Sequence, residues 1–171
     1  MVQEFIDLRN SILEGRYEDA LVIVDELEGM SQQATLRTIE SYLLRLCVHL
    51  IKNQIEQRLT NSWVASISDS IRQIKKLNLK DNKISYYINS TEWQAFLEEA
   101  IEAAIRPASV EVLGGKLKPA QVSEMVDRLH LMIIAQKLLD LTYEYSVNDL
   151  PDIVDTYLAQ LPGGKEFFDR E

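Results

Sequence analysis

From Ser31 to about Leu59 the chain runs without a glycine or a proline, and its apolar residues recur at helical spacing. Leu36, Ile39, Leu43, Leu46, Cys47 and Leu50 fall on one face at intervals of three and four. Within this run Leu43-Leu44-Arg45-Leu46-Cys47-Val48-His49-Leu50-Ile51 is apolar on nearly every side. A helix that is greasy almost all round belongs in the middle of a bundle unless it spans a membrane. No apolar run here approaches the roughly 20 residues a span needs. The run therefore fixes the expected architecture: all-α, a helical bundle of about six or seven helices around a long central helix.

The remaining helices follow from periodicity and punctuation. Phe5, Leu8, Ile12 and Leu13 mark a first helix, closed by Gly15. Ala20, Leu21, Val24 and Leu27 mark a second, which Gly29 should stop, with Ser31 capping the central helix. Asn61 or Ser62 can cap a helix whose apolar face is Trp63, Ile67, Ile71 and Ile74. Ser90 can cap the next, with Pro107 kinking or ending it. Gly114-Gly115 is a break, after which Pro119 opens a long helix to about Tyr145. A short last helix over 151–160 starts from Asn148 or Asp149, and Pro162-Gly163-Gly164 ends it. The expected division is a bundle core over 1–112 and a C-terminal helical extension over 113–171. That extension either completes the core or pairs with a second subunit, because Leu131–Leu141 is too apolar to be left in water.

Charge narrows the partners. The net charge is −9, which repels nucleic acid and anionic membranes overall. Residues 1–30 hold eight acids and two bases, whereas residues 45–83 hold eight bases and three acids. Arg72, Lys75, Lys76, Lys80 and Lys83 form a basic segment that packing beside acidic helices explains more simply than nucleic-acid binding does. The single cysteine, Cys47, excludes an internal disulfide, and its apolar setting makes an inert buried thiol the default. The start of the chain lacks a basic segment followed by an apolar one, so the expectation is a cytoplasmic protein.

Catalytic and metal chemistry find little to stand on. There are only two histidines, His49 and His130. A di-iron bundle needs two Glu-x-x-His motifs, but Leu46 precedes His49 by three residues and Asp127 precedes His130. No nucleophile elbow, phosphate-cradling loop or dinucleotide fingerprint occurs. No cofactor and no metal are expected. A narrow polar stripe does cross the central helix, through Ser41, Arg45, His49, Lys52 and Glu56.

Three motifs in order carry a family resemblance: Val24-Asp25-Glu26-Leu27-Glu28-Gly29-Met30, then Ile39-Glu40-Ser41-Tyr42-Leu43 with Leu46-Cys47-Val48-His49-Leu50-Ile51-Lys52, then Asn61-Ser62-Trp63. Over about residues 5–112 the chain resembles the bacterial, largely cyanobacterial, domain-of-unknown-function family number twenty-nine. His49, Arg58, Ser62 and Trp63 match positions that family tends to keep. The chain departs from it at Asn53, where a tryptophan is usual, at Ala65, where an arginine is usual, and in lacking a loop proline. The resemblance implies an all-α bundle and no activity.

Two function classes lead, with nucleic-acid binding through the basic segment 72–83 as a weaker third. One is a non-enzymatic interaction or scaffold protein, associating with itself or with another protein. The other is a ligand binder or enzyme built on Arg45, His49, Arg58 and Trp63.

Overall fold

The computed structural model describes residues 2–170. Among them there are eight α-helices and no strand: α1 (Val2–Leu13), α2 (Tyr17–Glu56), α3 (Asn61–Asn78), α4 (Gln94–Glu111), α5 (Pro119–Met125), α6 (Arg128–Glu144), α7 (Leu150–Leu158) and α8 (Gly164–Phe168). The all-α expectation holds. Among the described residues no helix is long and apolar enough to cross a membrane. The chain divides into two compact units, residues 1–38 and residues 39–171, with α2 running through both.

The first unit is a helical hairpin. Gly15 sits at φ +73°, where a side chain would be strained. It closes α1 with two reversed bonds, Gly15 N–H to the Ile12 carbonyl at 3.2 Å and Arg16 N–H to the Ser11 carbonyl at 2.8 Å. Arg16 then pairs with Glu14 at 2.8 Å and Asp19 at 3.0 Å. Among the described residues of this unit only Ser11 and Ala20 are buried. They are small residues where two helices can approach closely.

The second unit holds the core. Ile39, Leu43, Leu46, Cys47, Leu50 and Ile51 of α2 are all buried, as periodicity required. Ile67, Ile71 and Ile74 of α3 are fully buried, and α3 packs on α6 and α7. In α4, Leu97, Ile101, Ala104 and Ala108 face inward, against α5 and α6. Leu131, Ala135, Leu138 and Leu139 of α6 are buried in the same core, so this apolar stretch completes the bundle. A polar knot locks α3 to α6. The Tyr143 hydroxyl donates to the Ile88 carbonyl at 2.6 Å and accepts from Trp93 Nε1 at 2.7 Å and Asn78 Nδ2 at 3.1 Å.

Five local expectations give way, the first at Ser90, because Trp93 and not Ser90 holds the N-cap position of α4. Gly29 does not stop a helix, because glycine inside a helix costs only about 1 kcal/mol relative to alanine and a 40-residue helix absorbs it. Thr60, not Asn61 or Ser62, caps α3, its hydroxyl accepting from Trp63 N–H at 3.2 Å. Pro107 lies inside α4, which continues to Glu111 because Ala108, Ser109 and Val112 beyond it are buried. The long helix from Pro119 is broken at Val126–Asp127. There Asp127 Oδ1 caps α6 through His130 N–H at 3.1 Å, while the Gln54 side chain accepts from Asp127 N–H at 2.9 Å. The Asp127-x-x-His130 spacing is thus a helix cap.

Candidate functional site

All four sequence candidates lie in the second unit: Arg45 and His49 on α2, Arg58 in the loop after it and Trp63 at the start of α3. Their arrangement follows from helical spacing. Arg45, His49, Lys52 and Glu56 recur every three or four residues and share a side of α2. The structure gives each a different partner.

Arg45 reaches α3, donating to Asp69 at 3.0 Å and to Ser66 Oγ at 3.2 Å. Lys52 turns to α4 and pairs with Glu111 at 2.8 Å. Its side chain is 7% exposed and that of Glu111 is 55% exposed, so the ammonium is inside and its counter-charge is at the surface. Lys52 Nζ also lies 4.8 Å from the centre of the Trp63 ring, and the Arg58 guanidinium lies 4.9 Å from it. Trp63 is itself buried. Arg58 is exposed and paired with Glu56 at 3.0 Å.

His49 stands between these pairs. It is half-buried, and its Nδ1 is enclosed without a hydrogen-bond partner. Burial first, then the Lys52 and Arg45 charges against the opposing pull of Glu111, brings its pKa down to about 4. The ring is therefore neutral across the physiological range. Hydrogen bonding to Lys52 holds the Glu111 carboxyl below its usual range. Burial pushes the Cys47 thiol up to about 12, which leaves no thiolate for nucleophilic chemistry.

Arg45 and His49 line a groove of about 460 Å³ with Leu44, Val48, Val110 and Glu111. Pro107 forms part of its wall, a placement that depends on α4 continuing past the proline. Arg58 and Trp63 are not in this groove. Lys52 links the two halves by touching both Glu111 and Trp63. The sequence candidates thus form a charged seam joining α2, α3 and α4, with a mainly apolar groove at the His49 end.

Sequence reasoning missed three members of the seam. Glu111 and Asp69 close the ion pairs, and Ser66 joins Arg45. Nothing in local spacing could pair residues 59 apart, as Lys52 and Glu111 are. It also missed Asn53, which is buried and donates to the Arg58 carbonyl at 3.0 Å and the Pro162 carbonyl at 2.8 Å. In the basic segment, Lys75 donates to the Thr142 carbonyl at 2.6 Å and Lys80 lies over Tyr87, so both have partners within the fold. Among the described residues no group of three or more His, Cys, Asp or Glu side chains could hold a metal ion.

The family model described as domain of unknown function DUF29 matches residues 16–129, about two thirds of the chain. The chain belongs to the DUF29 family. No curated protein and no solved structure matches it. The DUF29 match contains the whole seam from Arg45 to Glu111 and ends two residues into α6.

Proposed function

We propose that this DUF29 protein is a non-enzymatic interaction module that works by holding a protein partner, with the α1–α2 hairpin as the docking element. One observation carries the reading. Val2, Phe5, Ile6, Ile12 and Leu13 lie on one side of α1 around Arg9, and all five are exposed. Ser11, the one buried residue of α1, lies on the opposite side of the helix. The hairpin thus closes on the polar side of α1 and leaves its apolar side uncovered. Tyr17, Leu21 and Val24 of α2 are exposed as well. A 12-residue helix is marginal in water by itself, and each large apolar side chain gains about 1.5–3 kcal/mol when fully buried. Covering this surface is the simplest way to stabilise α1.

The test is native mass spectrometry of the protein from its own host, beside a Phe5→Ser, Leu13→Ser, Leu21→Ser variant. An additional stoichiometric mass that the variant loses, at unchanged melting temperature of the bundle, is the expected result. A bare single-chain mass for the unaltered protein, with the variant melting several degrees lower, would mean these residues serve the fold alone.

A second reading is supported by the His49 groove, where an enclosed imidazole nitrogen without a partner lies beside apolar walls. A small ligand seated there would perturb the His49 ring resonances. A fragment screen that leaves those resonances unmoved would eliminate this reading.

A further inference from the structure

We propose that the groove between α3, α7 and α8 binds a small zwitterion: a molecule with an ammonium and a carboxylate joined by an apolar body, as in a free amino acid or a short apolar peptide. The site lies wholly in the second unit and does not depend on the α1–α2 hairpin. The groove has a volume of about 660 Å³, within the range of small-molecule sites. Asn61, Val64 and Ser68 line it from one side of α3, at helical spacing. Asp155 lines it from α7, and Phe168 and Arg170 line it from α8 and the residues after it.

Two uncompensated charges of opposite sign share this groove. Asp155 is partly buried, and among the described residues its carboxylate has no hydrogen bond and no ion pair. Burial, then the charge of Asp152, lifts its pKa above the usual range. Arg170 is held by neutral partners alone. It donates to the Phe167 carbonyl at 2.5 Å and to Asn61 Oδ1 at 2.6 Å, and its guanidinium lies 3.7 Å from the centre of the Phe167 ring. Further N–H groups of that guanidinium remain able to donate. Asp155 and Arg170 do not pair with each other, so each keeps a charge that an occupant can answer.

A purely cationic occupant would face Arg170, and a purely anionic one would face Asp155. A zwitterion answers both charges at once, its ammonium on Asp155 and its carboxylate on Arg170. The carboxylate end then lies beside Asn61, in the first turn of an 18-residue helix whose dipole favours negative charge. Val64 and Phe168 supply apolar walls for the body. The Phe168 ring is fixed edge-on against Phe167, centre to centre 4.9 Å, and Phe167 is itself capped by Arg170. The wall is therefore preorganised.

The test is a nuclear magnetic resonance titration of the full chain with leucine and with leucyl-leucine. N-acetyl-leucine, which lacks the ammonium, and leucine amide, which lacks the carboxylate, are the controls. The expected result is saturable shifts centred on residues 61–68 and 151–155, with both controls about tenfold weaker or more. Saturation by leucine alone would assign a free amino acid, and saturation by the dipeptide alone would assign a peptide; either supports the proposal. Asp155→Asn should remove the preference over N-acetyl-leucine, and Arg170→Gln should remove the preference over leucine amide. Circular dichroism confirms that both variants fold. No shift with either zwitterion at millimolar concentration would overturn the proposal. Controls that bind as tightly as the zwitterions, or variants that keep the full preference, would overturn it too.

Discussion

His49 gives the bundle an acid-sensitive point whose size can be worked from its surroundings. In the folded chain its pKa is held down to about 4, whereas an unfolded chain titrates it near 6.5. Above pH 6.5 the ring is neutral in both states and contributes no pH dependence. As the pH falls from 6.5 towards 4 the unfolded state takes up a proton that the folded state refuses, so stability falls with pH. At pH 5 a fully shielded ring would cost about 2 kcal/mol, and halving this for solvent reaching the half-buried ring leaves about 1 kcal/mol. The neighbours that bear on this are Lys52, Arg45 and Glu111. Glu111 has its own pKa lowered from 4.5, so its contribution is lost only below that pH and stays outside a window of pH 7.5 to 5. Urea unfolding at these two pH values, followed by fluorescence of Trp63 and Trp93 in the same unit, measures the difference. The His49→Gln variant should lose about 1 kcal/mol less than the unaltered chain across the window, a midpoint difference of about 0.5 M urea. Parallel losses in the two proteins would refute the placement of a neutral, enclosed ring.

The Lys52–Glu111 pair should respond unequally. Glu111→Gln leaves a buried ammonium short of its counter-charge and should cost about 1–2 kcal/mol, whereas Lys52→Met removes the charge and keeps the packing on Trp63, so it should be near neutral by thermal unfolding. Tyr143→Phe should cost about 1–3 kcal/mol, because Trp93 Nε1 loses its acceptor inside the core; a change under 0.5 kcal/mol in denaturant titration would contradict that role. Cys47 should resist a thiol reagent at pH 8 in the folded chain and react at once in denaturant, and rapid labelling of the native protein would contradict its burial.

The parts of the fold legible in the sequence were those written in one periodicity. The inner face of α2 from Ile39 to Ile51 and the isoleucine ladder of α3 carry a helical repeat dense enough to be decisive. What was not legible depended on competition between weak local signals and packing. Gly29 and Pro107 are breakers by propensity, yet both are overridden where the helix on either side is held. Asp127 shows the reverse, a short side chain that ends one helix and starts another inside a run whose apolar pattern continues. The site was half legible for the same reason. Arg45, His49 and Lys52 announce themselves as a stripe on a buried helix, but Asp69 and Glu111, which close the ion pairs of Arg45 and Lys52, arrive from elements far along the chain. Phe5, Ile12 and Leu13 share a helical repeat and yet are exposed, because periodicity identifies a face and cannot say what it is turned towards.

Completion of the α3 packing surface has a consequence for synthesis. Ile67, Ile71 and Ile74 are covered by α6 and α7, whose last buried residue is Leu158, and Asn53 waits for the Pro162 carbonyl. At a translation rate of 5–20 residues per second, the isoleucine ladder leaves the ribosome roughly ten seconds before its cover does. During that interval the nascent chain carries a bare apolar face on a helix already able to form. Its safe passage rests on chaperone attendance and on the speed with which the final helices follow.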